Sequence, residues 1–116
     1  MIGWIVLAAA LGGLIRFSTE YLLPPVGTKA FPRATLIVNV AGSFVLGIVI
    51  SAPHDLRLIL GTGLCGALTT FSGVSLQLSR RLSSGDRRAA LQYLGLTLAL
   101  GLGAASLGIS LGHYLF

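Results

Sequence analysis

The chain has 116 residues, of which 54% are hydrophobic and only 9% charged. An ordinary soluble domain carries roughly a quarter of its residues as Asp, Glu, Lys or Arg, so this composition excludes one. The net charge of +5 sits in short polar stretches between apolar runs, which argues against a nucleic-acid partner and for basic residues flanking a membrane.

A membrane-crossing helix needs ~20 mainly apolar residues, and the uncharged stretches provide four candidates. The first is expected from Ile2 to Leu23, interrupted by Arg16 and Glu20 in its second half and ended by Pro24-Pro25-Val26-Gly27. Its opening, Ile2 to Leu7 followed by Ala8-Ala9-Ala10, lacks the basic leader of a signal peptide and reads as part of the span. Lys29 to Arg33 makes the first connection, the second span follows from Ala34 to Ala52, and Pro53-His54-Asp55 makes the next turn. The third span is expected from Leu58 to Leu78, Arg80 to Arg88 as a polar loop, and the last span from Ala89 to Tyr114. Residues 1–116 therefore read as a single four-helix transmembrane domain, with function confined to the bilayer and its surfaces.

The 16 glycines suit helices that pack through small residues, and Gly101, Ala104 or Ala105, Gly108 and Gly112 recur at three- and four-residue steps in the last span. The single cysteine, Cys65, excludes an internal disulfide and reads as a small packed hydrophobe. Lys29, Arg33, Arg80, Arg81, Arg87 and Arg88 share one side of a four-span chain, with Arg57 alone on the other. By the positive-inside rule, that bias places the first and third connections in the cytoplasm and both termini outside.

Polar residues inside the spans carry the functional signal. Thr35, Asn39, Ser43 and Gly47 follow at four-residue steps along one face of the second span. Asn39 there serves either an interhelical hydrogen bond, worth ~0.6 kcal/mol, or a polar cavity. The third span gathers Gly61, Gly63, Gly66, Thr69, Thr70, Ser72, Gly73 and Ser75 around Phe71, a pattern fit either for close packing or for a local break with freed backbone carbonyls. In the last span Tyr93, Thr97 and Gly101 keep the four-residue step, so their hydroxyls can extend a donor-rich track. Arg16 either snorkels to the headgroups or serves a water-filled vestibule, and Glu20 one helical step away is its natural partner. Neutral donors, an aromatic ring edge and one embedded arginine suit a small anion better than a cation. No paired nucleophile and base, metal-ligand cluster or phosphate-binding loop is visible, so the chain does not read as an enzyme.

Three motifs resemble the CrcB/Fluc family of small fluoride channels. Gly12-Gly13-Leu14-Ile15-Arg16-Phe17 is similar to its first-helix motif, Ala34-Thr35-Leu36-Ile37-Val38-Asn39-Val40-Ala41-Gly42-Ser43-Phe44 to its second-helix motif, and Gly63-Leu64-Cys65-Gly66-Ala67-Leu68-Thr69-Thr70-Phe71-Ser72 to its third. The resemblance covers the whole chain and implies an all-α membrane protein of four transmembrane helices with a broken third helix, assembled as an antiparallel, dual-topology dimer with two fluoride pathways. It implies passive fluoride export across the inner (plasma) membrane, and a structural sodium ion at the dimer centre held by backbone carbonyls of Gly66 and Thr69. On the same basis Asn39 is the pore amide, Phe71 the first electropositive ring edge, Tyr93 and Thr97 part of the hydroxyl track, Thr70, Ser72 and Ser75 further donors, and Arg16 the vestibule cation.

The chain departs from the family pattern at Val74, where a second phenylalanine is expected, and at Gln77, where a glutamate is common. The Lys and Arg bias is a third departure, since dual topology calls for balance. It points to an alternative in which the chain inserts one way and pairs with an oppositely oriented homologue as a partner-dependent or non-conducting subunit. A small multidrug exporter is the remaining alternative, and its required acidic residue could only be Glu20 beside Arg16.

Overall fold

The structure, a computed structural model, describes residues 1–22, 33–69 and 71–116, the side chains of Phe71 and Ser72 excepted. The first connection around Lys29, and Thr70 in the third motif, lie outside the described residues. Helix α1 (Ile2–Leu22) is apolar on nearly every face, and Gly12 is its one buried residue. Trp4, Leu7, Leu11 and Leu14 are exposed, a surface suited to acyl chains rather than water. Helix α2 (Arg33–Val49) ends short of the expected Ala52 because the chain turns there, with Ala52 N–H donating to the Val49 carbonyl at 3.0 Å.

The third apolar stretch is not one regular helix. It opens at Pro53 with the short α3 (His54–Leu56), widens into π-helical turns over Arg57–Cys65, and tightens to the short α4 (Gly66–Leu68). Thr69 then adopts an extended backbone (φ −82°, ψ 151°), and α5 (Phe71–Ser83) follows. Glycine, threonine and serine at this density are poor helix formers, which lets the backbone depart from α geometry here.

Helix α6 (Arg87–Leu115) completes the chain, and here the expected polar loop is corrected. Arg80 and Arg81 are helical, so the connection shrinks to Ser84-Gly85-Asp86. Gly85 supplies the positive φ of 81° that ends α5, while Ser84 Oγ donates to the Arg81 carbonyl at 3.0 Å. Asp86 caps α6, its carboxylate accepting from Ala89 N–H at 3.0 Å. The stop and start signals lie within three residues, so both helices extend further than their charge pattern implies.

Ile2–Leu22, His54–Ser83 and Arg87–Leu115 are long and apolar enough to cross a bilayer. The 17 residues of α2 are shorter, spanning about 26 Å at the helical rise per residue, near the lower limit for a crossing. All described elements are helical, and the chain is an all-α, multi-pass membrane protein.

Small residues set how the helices meet. Along the α2–α6 contact a Cβ on Gly47 would strike the Ala105 carbonyl, one on Gly108 the Phe44 carbonyl, and one on Gly112 the Ile48 carbonyl. On the other side, a Cβ on Gly12 would strike the Leu64 carbonyl, and one on Gly63 would lie 2.8 Å from the Ile5 carbonyl oxygen. In lipid, helices gain little from hiding apolar surface, so backbone-to-backbone approach of this kind provides the attraction. Ala105, Gly108 and Gly112 thus meet the second helix as their spacing implies. Gly101 faces it more loosely, with Ser43 Oγ 3.8 Å from where its Cβ would be.

Candidate functional site

The α2–α6 pair and the irregular third segment enclose a cleft of about 410 Å³. Asn39 and Ser43 enter it from α2, Thr69 from the segment between α4 and α5, and Thr97 from α6. Leu46, Val74, Leu94 and Leu98 complete its apolar wall, with glycines 42, 61, 66 and 101 and Cys65 between them. Cys65 is buried and free, in keeping with a packed small hydrophobe. An amide and three hydroxyls on a largely apolar lining can replace part of the hydration of a small ion.

Thr69 is held at this position by two local bonds. Its N–H donates to the Cys65 carbonyl at 3.0 Å, and its Oγ1 donates to the same carbonyl at 2.8 Å. Its methyl group occupies the space that a Cβ on Gly42 would fill. Gly42 is therefore the residue that lets the extended Thr69 approach α2 between Asn39 and Ser43. Reading the sequence for hydrogen-bonding groups passes over this glycine, and its only mark is its place within the Asn39 motif.

Tyr93 is fully buried, with 0% exposure, and its hydroxyl and that of Thr97 are both shielded from solvent one helical turn apart on α6. Thr97 lines the cleft, and Tyr93 extends the same face toward the start of α6. Val74 lines the cleft and is itself buried. Ser75, its neighbour, is exposed and is not among the cleft residues. Arg16 is half-buried on α1 and Glu20 exposed, and no ion pair joins them among the described residues. The backbones of Phe71 and Ser72 begin α5 directly after the extended residue. Gly66 is exposed, and the nearest atom to its would-be Cβ is the Gly61 carbonyl oxygen at 3.9 Å. No cluster of His, Cys, Asp or Glu suited to a metal ion occurs among the described residues.

Residues 3–109 match the family model described as CrcB-like protein, Camphor Resistance (CrcB). The chain belongs to this family. Among its CrcB-like relatives, one from Deinococcus radiodurans named "Fluoride-specific ion channel FluC" is 40% identical over 94% of this chain and 92% of its own length. A relative from Listeria monocytogenes, "Fluoride-specific ion channel FluC 1", is 38% identical over 90% of each. A third, from Parasynechococcus marenigrum, "Fluoride-specific ion channel FluC 2", is 51% identical over 69% of this chain and 62% of its own. The CrcB-like match takes in every cleft residue, from Asn39 to Gly101.

A further residue escaped the sequence reading. Arg81, placed there in a solvated loop, is only 8% exposed and lies with its guanidinium carbon 5.8 Å from the centroid of the Tyr93 ring. The three- and four-residue steps from Val74 to Gln77 to Arg81 mark one face of α5, and that pattern is the signal that could have found it.

Proposed function

We propose that the chain forms a fluoride-selective channel for passive export of fluoride from the cytoplasm across the inner (plasma) membrane. The observation that carries this reading is the meeting of Asn39, Ser43, Thr69 and Thr97 in one cleft beside the extended backbone of Thr69. Relatives named as fluoride-specific channels, similar over nearly the whole chain, support it. Fluoride is small and strongly hydrated, so a selective path must offer several close donors in place of its water and stay too narrow for chloride. Asn39 is the pore amide in this reading and Thr97 with Tyr93 the hydroxyl track. Thr70, Phe71 and Ser72 keep in this proposal the donor and ring-edge roles that the resemblance implies, Ser75 stands outside the cleft of the single chain, and half-buried Arg16 favours anions at a vestibule.

The proposal includes α2 as a fourth, short crossing and Thr69 as a functional break in the third helix. Two copies then pair antiparallel, with a pathway in each. Helix-end carbonyls have no partner further along their own helix, and α4 ends at the extended Thr69 beside exposed Gly66. These oxygens fit a hard monovalent cation, so the carbonyls of Gly66 and Thr69 would hold a structural sodium ion. Bound there, the ion would offset the carbonyl dipoles of the two segments. A partner of opposite orientation, related but not identical, is a second reading favoured by one observation. Val74 lines the cleft where the family pattern expects a ring, which leaves this chain's path one ring edge short.

The test is fluoride efflux from liposomes containing this chain alone, driven by a potassium gradient with valinomycin and read by a fluoride electrode, with chloride as control. Fluoride-selective efflux is expected. Folded protein that passes no fluoride alone, but does so with an oppositely biased homologue, would overturn the self-sufficient dimer. Equal passage of chloride would overturn selectivity.

A further inference from the structure

The paired helices α2 and α6 have a second open side, which shares no residue with the cleft. Their contact is tight where Gly108 meets the Phe44 carbonyl and Gly112 the Ile48 carbonyl. It loosens toward their starts, where the would-be Cβ of Gly101 comes no nearer than 3.8 Å to Ser43 Oγ. The two helices therefore run in the same direction and part toward Arg33 and Arg87, the residues that open them. On this second side a groove of about 470 Å³ lies between them, lined by Ile37, Val40, Ala41 and Phe44 from α2 and by Leu100 and Leu107 from α6. Every lining residue is apolar, and Ile37, Leu100 and Leu107 are exposed, so the groove opens on the acyl chains of the bilayer.

Arg33 stands at the mouth of this groove. It is the only charged residue of α2, it is exposed, and it shares one helical face with Ile37, Val40, Ala41 and Phe44. From Arg33 to Phe44 is about 16 Å at the helical rise, roughly half of the ~30 Å hydrocarbon core. A helix of a second copy would need a groove that continues across the bilayer, whereas this one closes at the Phe44–Gly108 contact, one leaflet deep. Arg80, Arg87 and Arg88 are exposed on the same side of the membrane as Arg33, so positive charge faces that headgroup layer. Anionic lipids are drawn to such a layer, and a guanidinium holds a phosphate through parallel N–H donors. We propose that the groove seats an acyl chain of an anionic phospholipid whose phosphate rests on Arg33. The lipid fills the gap between the parted starts of α2 and α6, the two helices that carry Asn39 and Thr97 into the cleft. Such seating is independent of which ion the cleft passes.

The experiment counts the lipids retained by the full chain in native mass spectra, after release from micelles holding equal amounts of phosphatidylglycerol and phosphatidylcholine with matched acyl chains. R33K, R33Q, A41F and R57Q are compared with the unsubstituted chain, with thermal melting of each in detergent. The unsubstituted chain is expected to favour phosphatidylglycerol, and R33Q to lower the ratio of the two lipids about five-fold, the share of one cation near the bilayer surface. R33K should keep the ratio, and so should R57Q, which removes an exposed charge near the opposite turn. A41F, at an exposed lining position, should lower retention of both lipids because its ring occupies the groove. An unchanged ratio in R33Q would overturn the inference, as would full retention of both lipids by A41F. An equal fall in R33Q and R57Q would overturn it in favour of diffuse charge. A changed oligomeric mass in A41F would assign the groove to a second copy of the chain instead. Because Arg33 is exposed, R33Q decides the headgroup contact even where A41F fails to fold.

Discussion

Asn39 has the most to lose from a change of one charge. It lines the cleft beside Ser43 and opposite Thr97, in a segment where the low dielectric magnifies any Coulomb term. Asn39→Asp keeps the size of the side chain and adds negative charge, so fluoride efflux is expected to fall more than ten-fold, corresponding to at least ~1.4 kcal/mol of added barrier. Efflux from the Asp variant equal to that of the unsubstituted chain would remove Asn39 from the path. Asn39 and Thr97 were legible as polar groups in apolar spans, because an amide or hydroxyl in lipid demands a protein or water partner. Gly42 and Arg81 were not. A glycine that makes room for the Thr69 methyl carries no polar signature, and an arginine beside other arginines looks like loop until the helix is known to run through it.

At the scale of elements, the pairing of α2 with α6 depends on glycines that face carbonyls. Gly108→Val places a Cβ against the Phe44 carbonyl, and overpacking of this kind costs about 1–3 kcal/mol. The variant is expected to melt several degrees lower in detergent and to lose efflux through displacement of Thr97 from Asn39. Gly103→Val is the control, since nothing lies within 4 Å of its would-be Cβ. Equal melting of the two variants would show that close approach does not hold these helices together. The small-residue spacing of the last span marked a close-packing face without saying which helix would meet it. The glycines of the third span left open whether it would break or only pack closely, and the structure gives π-helical turns over Arg57–Cys65 that touch α1 and α2.

The whole molecule presents apolar side chains outward on α1 and α6, as a bilayer protein must. Its charge is asymmetric, with Arg80, Arg87 and Arg88 exposed at the α5–α6 turn and Arg57 exposed near the opposite turn. Reporter fusions at the C-terminus, expressed without a homologue, are expected to show the terminus mostly outside the cytoplasm. Equal populations inside and outside would instead establish dual topology despite the bias, and would favour a dimer of identical chains over the paired-homologue reading.

What the sequence determined by itself was solvent, class and family. The partition of apolar residues is a sum over composition and needs no knowledge of contacts, and three motifs along the chain carried the resemblance. Tertiary structure decided which polar residues meet. Asn39 and Thr97 are far apart in the chain and share a cleft only because Gly47, Gly108 and Gly112 let α2 and α6 close on each other. Thr69 joins them because Gly42 leaves space for it. Such proximity depends on backbone approach between distant segments, a property that no local pattern encodes.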